Sequence, residues 1–350
     1  MDKKIKIGLI GLGTVGSGVF KTLKSFDNVE ITKIAVRNIN KKRDIEGLDN
    51  SIITDDAYEV VNDSEIDIVA ELVGGLDPAF DLIATAIKNG KHIVTANKEL
   101  LAKRGEELFN IAEKYNKVIL YEAAIAGGIP IIMPVKTILA GNKINHIEAI
   151  VNGTTNYILT KMDVQKASYN DVLKEAQELG YAEADPTGDV EGYDAAYKIA
   201  TLASITFQKR IKIENVYREG ITKIRAEDME AANDLGYKIK LIASAHLDEN
   251  DNADVRVHPM LVSKKSTLAH IDYVTNAVSL SGHPVGSITL SGPGAGEFPT
   301  ASSVVGDILA IAAELGKSEY ILPMMRCKHN STANMTDISE TTNKYYLSIH

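Results

Sequence analysis

The chain has 350 residues, 45% of them hydrophobic and 24% charged, an ordinary globular composition with material for two or three domains. A net charge of −9 without a basic stripe argues against nucleic acid as a partner, and a single cysteine, Cys327, excludes an internal disulfide and suits a reducing compartment. No stretch approaches the length of an uninterrupted apolar span and no apolar signal region precedes the first strand, so no membrane span is expected and a cytoplasmic location is.

From the N-terminus, Lys6-Ile7-Gly8-Leu9-Ile10 reads as an apolar strand running into Gly11-Leu12-Gly13-Thr14-Val15-Gly16. Val15, Val19 and Leu23 then recur at a spacing of four, one face of a helix. A strand, a Gly-x-Gly-x-x-Gly turn and a helix in that order form the phosphate-binding unit of a dinucleotide fold. The first glycine makes the tight turn, the second lets backbone reach a pyrophosphate, and the third lets helix pack closely on strand. The helix N-terminus adds unpaired N–H groups and partial positive charge. Ile31 to Val36 reads as the second strand, rich in β-branched residues. Near its end an NAD-binding unit usually places an acid for the ribose 2′-hydroxyl; here stands Arg37, with Lys41, Lys42 and Arg43 following. Cations suit a 2′-phosphate, so NADP is favoured over NAD, the alternative being a solvated basic loop.

Further along, Ile66 to Val73 is another buried strand ending in Gly74-Gly75, and a helix from Pro78 to Asn89 is closed by Gly90. Next come a strand His92 to Thr95, then Ala96-Asn97-Lys98, a helix from about Glu99 to Tyr115 and a strand Val118 to Tyr121. Strands alternating with helices predict an α/β fold whose N-terminal part is a doubly wound parallel sheet of the Rossmann type, with ligands at the carboxyl ends of its strands. Lys98 and the Gly127-Gly128 loop sit at such ends.

The pattern changes near residue 140, toward an α+β second domain. Ile144 to Val151 is a strand leading into Asn152-Gly153-Thr154-Thr155-Asn156-Tyr157, and a helix follows, opened by the capping box Ser168-x-x-Asp171 and closed by Gly180. An acidic loop, Glu183 to Gly192, precedes a long helix from Tyr193 to Phe207. Later elements are an Ala-rich helix near 226–235, strands near 237–246, 254–258 and 284–290, and Ser291-Gly-Pro-Gly-Ala-Gly296 opening a helix near Thr300.

Between Glu183 and Lys198 stand five acids, Glu183, Asp185, Asp189, Glu191 and Asp194, and one lysine. Asp194 and Lys198 are four apart and share a helix face. Spacing alone fits a surface ion pair of little energetic weight. The apolar neighbours Ala195, Ala196, Ile199, Ala200, Leu202 and Ala203 instead favour a pair that is partly buried or faces a cleft, where charges tend to be functional or networked. Lys98 is either the first turn of a surface helix or a group at the nicotinamide end of a dinucleotide. Two lysines with carboxylates nearby suit hydride transfer to or from a carbonyl: an ammonium polarises or protonates the developing alkoxide, and carboxylates grip a substrate ammonium. The eight histidines show no paired metal spacing, and neither a Cys-x-x-Cys nor a nucleophile elbow is present.

Several longer motifs carry a resemblance. Thr95-Ala96-Asn97-Lys98, Glu122-Ala-Ala-Ile-Ala-Gly-Gly-Ile-Pro130, Asn152-Gly-Thr-Thr-Asn-Tyr-Ile-Leu159, Leu179-Gly-Tyr-Ala-Glu-Ala-Asp-Pro186, Asp189-Val-Glu-Gly-Tyr-Asp-Ala-Ala-Tyr-Lys198 and Gly292-Pro-Gly-Ala-Gly296 resemble homoserine dehydrogenase, in order, from about residue 5 to residue 325. The resemblance implies NAD(P)-dependent interconversion of L-homoserine and L-aspartate 4-semialdehyde, in the branch toward threonine, methionine and isoleucine. Carried over by motif, Lys198 is the acid–base lysine and Lys98 a second lysine at the reacting centre, beside the cofactor. Glu183 and Asp194 hold the substrate with Lys198, and Gly153, Thr154, Thr155 and Asp189 line its pocket. Main-chain carbonyls of Glu122, Ile125, Gly127 and Ile129 are implied to hold a monovalent cation, usually sodium. The Gly294 loop, returning the chain to the nucleotide domain, is implied to meet the cofactor.

The resemblance further implies a homodimer through sheet pairing in the second domain, with a tetramer as the alternative. The expected domains are 1–130, with a return helix at about 297–320, for NAD(P) binding; 131–296 for catalysis and dimerisation; and 329–350 as the truncated start of a regulatory ACT domain. On that expectation the residues after about 328 are weakly ordered or pair only with a neighbour, and threonine feedback by that route is absent. Two competing readings are another two-domain Rossmann oxidoreductase acting on an amino-acid-like aldehyde or alcohol, and a dinucleotide-sensing regulator with a degenerate site. The presence of Lys98, Glu183, Asp194 and Lys198 argues against decay.

Overall fold

The computed structural model describes residues 4–315 and 331–342. They form two compact units: residues 4–138 with 295–315, and residues 139–294 with 331–342. The expected boundary at 130 thus moves to 138, because the short helix Ile132–Lys136 packs with the first unit, and the one at 296 moves to 294.

In the first unit, strands β1 (Ile5–Ile10), β2 (Val29–Ala35), β3 (Ile53–Thr54), β4 (Ile68–Glu71), β5 (His92–Thr95) and β6 (Ile119–Leu120) form one sheet in the order β3-β2-β1-β4-β5-β6. Every pairing is parallel. Parallel sheets are covered on both faces, which is why Ile7, Leu9, Ile68, Val69, Ile93 and Val94 are all buried rather than alternating with polar residues. The covering helices are Thr14–Leu23, Ala57–Asn62, Ala79–Lys88, Lys98–Lys114 and the returning Glu297–Glu314. The last packs on Thr14–Leu23 at Gly18, where a Cβ would stand 2.7 Å from the Glu297 carbonyl oxygen. The expected return helix at 297–320 is observed to Glu314; its remaining expected residues, 316–320, lie outside the described ones.

The second unit is built on β7 (Lys143–Ile150), with β8 (Lys209–Arg210), β9 (Tyr217–Arg218), β10 (Tyr237–Leu247), β11 (Asn252–Ser263), β12 (Thr275–His283), β13 (Gly286–Pro293), β14 (Ser331–Thr332) and β15 (Asn334–Met335). The large sheet runs β13-β12-β7-β10-β11-β15, antiparallel from β13 to β11, with β9 and β15 added in parallel to β11. Helices Gly153–Gln165, Tyr169–Glu178, Tyr193–Phe207 and Ala226–Asp234 complete it. Among the described residues no helix is long and apolar enough to cross a membrane.

Two elements depart from the sequence reading. Asn152 to Tyr157, which the sequence reading assigned to no element, opens a helix: Gly-Thr-Thr-Asn has turn chemistry, but burial of Tyr157, Ile158, Leu159 and Met162 overrides the weak propensity. The strand expected near 284–290 is β13, and it forms a hairpin with β12, which was not expected and which buries Val278 and Leu280 between β13 and β7. The segment after 330 also differs from expectation. β14 pairs with β8 and β15 with β11, and the Thr336 N–H donates to Ala253 O at 2.9 Å. An exposed strand edge offers unpaired backbone groups, and this segment satisfies them within the chain itself. Residues 343–350, which carry most of the expected ACT strand, lie outside the described residues, as does Cys327.

Candidate active site

In the first unit the glycine turn divides into two kinds of glycine. Gly11 has φ +103° and donates its N–H to Ala35 O at 2.8 Å; a Cβ there would stand 3.0 Å from Leu72 O. At Gly16 a Cβ would collide with the Gly11 carbonyl. These two are required by the protein's own packing. Gly13 is different: its φ is an ordinary −86°, and a Cβ would meet no protein atom within 4 Å. Nothing in the fold demands a glycine at 13, whereas a diphosphate lying against the backbone would. Gly13 is also the N-cap of Thr14–Leu23 and provides no side-chain cap, so first-turn N–H groups are left to a ligand or solvent. Leu12 and Val15 are half-buried and Thr14 is exposed beside them.

Arg37 is separated from the end of β2 by Val36, is exposed, and makes no hydrogen bond or ion pair among the described residues. Arg43 behaves otherwise: its guanidinium donates to Lys41 O at 2.8 Å and Asn38 O at 2.9 Å, shaping the loop. The expected cluster therefore separates into exposed Arg37, Lys41 and Lys42 and a structural Arg43.

Lys98 begins the helix Lys98–Lys114 and is half-buried. Its position is set by polar groups at the ends of β4 and β5, of which Thr95 and Asn97 belong to a motif named above and Glu71 does not. Fully buried Glu71 accepts from Thr95 Oγ1 at 2.6 Å and from the N–H groups of Val73 and Gly74 at 3.0 Å. Thr95 Oγ1 accepts from Asn97 N at 3.0 Å, Asn97 Oδ1 caps Leu100 N at 3.2 Å, and Asn97 Nδ2 donates to Gly75 O at 2.7 Å. The legible signal was a buried-strand pattern ending in Glu71 and Thr95, since polar groups at such ends must find partners.

The Glu122 loop is buried. The Glu122 carboxylate accepts from the N–H groups of Ile131, of Ile132 at 2.7 Å and of Met133 at 2.8 Å, so its side chain is used in holding the loop. Its own N–H donates to Asp307 at 2.8 Å. Burial pushes the Glu122 carboxyl up against the opposing pull of those N–H groups, and pushes the more deeply buried Asp307 well above the usual carboxylate range. Gly127 takes φ +60°, and Ser303 Oγ donates to its carbonyl at 2.7 Å.

In the second unit, Lys198 and Asp194 lie one turn apart on Tyr193–Phe207, both buried, with Nζ to Oδ2 at 2.7 Å. Lys198 also donates to Val151 O at 2.7 Å. Asn152, the N-cap of Gly153–Gln165, ties the acids together: its Nδ2 donates to Asp189 Oδ1 at 2.6 Å and to Asp194 Oδ2 at 2.9 Å. Its Oδ1 accepts from Thr155 N and Thr155 Oγ1, each at 2.9 Å. Removing one partner from such a buried ionic network leaves an uncompensated charge, so the arrangement holds each side chain in place.

The expected substrate residues Gly153, Thr154, Thr155, Asp189, Asp194 and Lys198 are thus brought to one helix N-terminus and the face beside it. Thr154 donates to Tyr181 O at 2.6 Å. Thr155 is fully buried and its hydroxyl braces Asn152, a supporting place rather than an open one. Glu183 is exposed in its loop, whose backbone is held by Gln177 Nε2 donating to Glu183 O at 3.0 Å. Gly294 closes the second unit, and the protein itself accounts for its lack of a side chain: a Cβ would run into the Asn276 carboxamide. Lys98 and Lys198 belong to different units.

Two family descriptions match the chain: homoserine dehydrogenase over residues 130–309, and the NAD binding domain of homoserine dehydrogenase over residues 11–143. A homoserine dehydrogenase of Synechocystis sp. is 42% identical over 355 aligned positions, covering 98% of this chain and 82% of that protein. The crystal structure of a homoserine dehydrogenase from Thiobacillus denitrificans superposes with a TM-score of 0.90 at 41% identity, covering 96% of this chain and 80% of that one. A hyperthermophilic archaeal homoserine dehydrogenase, solved in complex with NADPH, matches with a TM-score of 0.76 at 26% identity, over 90% of this chain and 100% of that one. The six parallel strands, the glycine turn and the Asp194–Lys198 pair stand in a chain that, by this coverage, belongs to the homoserine dehydrogenase family of NAD(P)-dependent oxidoreductases.

Proposed function

We propose that the chain interconverts L-homoserine and L-aspartate 4-semialdehyde toward threonine, methionine and isoleucine, with NADP preferred over NAD. The observation that carries this reading is the buried Lys198–Asp194 pair, tied through Asn152 to Asp189 at the start of Gly153–Gln165. When bound, the dinucleotide supplies or accepts the hydride. The residues of the chain do the rest. The Lys198 ammonium gives a proton to the alkoxide oxygen as the aldehyde is reduced and takes it back in oxidation, while Asp194 holds that ammonium in place. Lys98, anchored at its helix start, is the second lysine at the reacting centre. Glu183 and Asp194 hold the substrate, with Gly153, Thr154 and Asp189 lining its pocket and Thr155 bracing Asn152 behind it.

For the cofactor, the residues 11–16 would hold the diphosphate, a fit supported by the open side of Gly13 and the helix start without a side-chain cap. Arg37 would meet the 2′-phosphate, with Lys98 and Gly294 nearer the reacting end. The archaeal relative that binds NADPH fits this preference. A sodium ion would be held by the main-chain carbonyls of Glu122, Ile125, Gly127 and Ile129. Hard carbonyl oxygens suit such a cation, and the Glu122 side chain, engaged by three N–H groups, leaves only its backbone for the purpose. Dimerisation would use the second sheet, whose edge strand β13 has no buried residue.

The test is paired steady-state kinetics with homoserine and each cofactor. Turnover with a higher kcat/KM for NADP is expected, and Arg37→Ala should remove that preference while sparing NAD. Absence of turnover with both cofactors overturns the reading.

A further inference from the structure

The returning helix Glu297–Glu314 meets the Glu122 loop through two side chains one turn apart on a single face, Ser303 and Asp307. Ser303 Oγ donates to Gly127 O at 2.7 Å, and Asp307 Oδ2 accepts from Glu122 N at 2.8 Å. One rigid element thus holds both ends of the segment Glu122–Gly127. That segment carries three of the four main-chain carbonyls assigned above to a cation, those of Glu122, Ile125 and Gly127.

Asp307 is 4% exposed, between the buried Val304 and Ile308, and the Glu122 N–H is its one hydrogen-bond donor among the described residues. Its Oδ1 therefore accepts from no described group. The Glu122 carboxylate is buried at the same loop and is better supplied, with the N–H groups of Ile131, Ile132 and Met133. Neither carboxylate forms an ion pair among the described residues; Lys136 acts on Glu122 only through space, and Glu122 repels Asp307. A buried carboxylate is costly unless donors or a positive charge meet it. Asp307 has a single neutral donor, so its surroundings lack positive charge. The carbonyls of the loop can ligate a cation but cannot neutralise it, since they carry only dipoles. In a medium of low dielectric a full charge acts over several ångströms, so a counter-charge need not touch the ion.

We propose that Asp307 is the counter-charge of the monovalent cation held by the carbonyls of Glu122, Ile125, Gly127 and Ile129, while Ser303 fixes the loop that presents them. The inference rests on the cation reading above and adds to it a positioning residue from the returning helix, about 180 positions along the chain. Thermal melting is followed as sodium chloride replaces choline chloride at constant ionic strength, choline being too bulky for a carbonyl loop. A bound ion stabilises the folded state by mass action, so the dependence of melting on sodium concentration yields its dissociation constant.

In Asp307→Asn, which keeps an acceptor for the Glu122 N–H without the charge, that constant should rise roughly tenfold to a hundredfold. In Ser303→Ala, which loosens the loop and leaves the charge, it should rise less than about fivefold. Melting lowered equally in sodium and in choline, with the constant unchanged, would make Asp307 a structural residue and overturn the proposal. A loss in Ser303→Ala as large as that in Asp307→Asn overturns it too, because loop geometry rather than charge would then govern binding. If Asp307→Asn does not fold, Asp307→Ser makes the same neutralisation with a smaller side chain and is judged by the same criteria. A native protein that melts identically in sodium and choline removes the cation reading and the proposal with it. A native response that the neutral variants retain removes the proposal alone.

Discussion

Asn97 and Asn152 each cap a helix through the side-chain oxygen, accepting from Leu100 N at 3.2 Å and Thr155 N at 2.9 Å. The two amide nitrogens have different partners. Asn97 Nδ2 donates to a neutral backbone carbonyl, Gly75 O, and so fixes the loop that sets Lys98 in place. Asn152 Nδ2 donates to two carboxylates, Asp189 and Asp194, and through Asp194 it is joined to the Lys198 ammonium. The first asparagine shapes backbone, while the second distributes charge. A third helix, Thr14–Leu23, begins with Gly13 and has no side-chain cap. The same local need, unsatisfied N–H groups at a helix start, is met by a structural cap, by a cap that also organises acids, and by an opening left for a ligand.

This contrast is testable from its charged end outward. Lys198→Ala removes the ammonium the second cap serves, and kcat should fall by roughly 100- to 10,000-fold with the NADP dissociation constant changed less than about twofold. Near-native turnover would detach the network from the chemistry. Asn152→Ala deletes both hydrogen bonds to carboxylates, and kcat/KM for homoserine should fall by roughly 10- to 100-fold, together with a lower melting temperature. Gly13→Ala introduces a Cβ that no protein atom opposes. Melting should stay within about 1 °C, while NADP binding weakens by roughly tenfold, as a lost close backbone contact would require. A melting loss without a binding loss would make Gly13 a structural glycine. Asn97→Ala should act mainly on stability, by about 1 kcal/mol or about 2–4 °C, with the homoserine KM unchanged. A KM shift matching that of Asn152→Ala would erase the distinction between the caps.

Local pattern makes some of this legible in the sequence. The bounds of the strand His92–Thr95 and the helix Tyr193–Phe207 coincide with their sequence reading, because each combines strong periodicity or apolar content with clear turn residues at its ends. The apolar neighbours of Asp194 and Lys198 favoured a pair partly buried or facing a cleft, and the structure buries it. Gly153–Gln165 was not legible as a helix, since Gly-Thr-Thr-Asn has turn propensity and only the burial of its later turns makes it helical. Asn276 gave no signal at all. It is one polar residue in a strand, and only the structure shows that its carboxamide fills the place of a side chain at Gly294, far along the chain.

By itself the sequence determined the parallel dinucleotide unit, the glycine turn and the presence of two lysines with acids nearby, since each is written in spacings of two to four residues that strand and helix geometry translate directly. Only the tertiary structure decided which glycines the fold needs and which it leaves open, that Arg43 turns inward while Arg37 stays exposed, and that Asn152 binds two carboxylates. It also decided that residues 331–335 pair with strands of the second unit. Hydrogen bonds and close contacts join residues tens to hundreds of positions apart, and no local spacing encodes them.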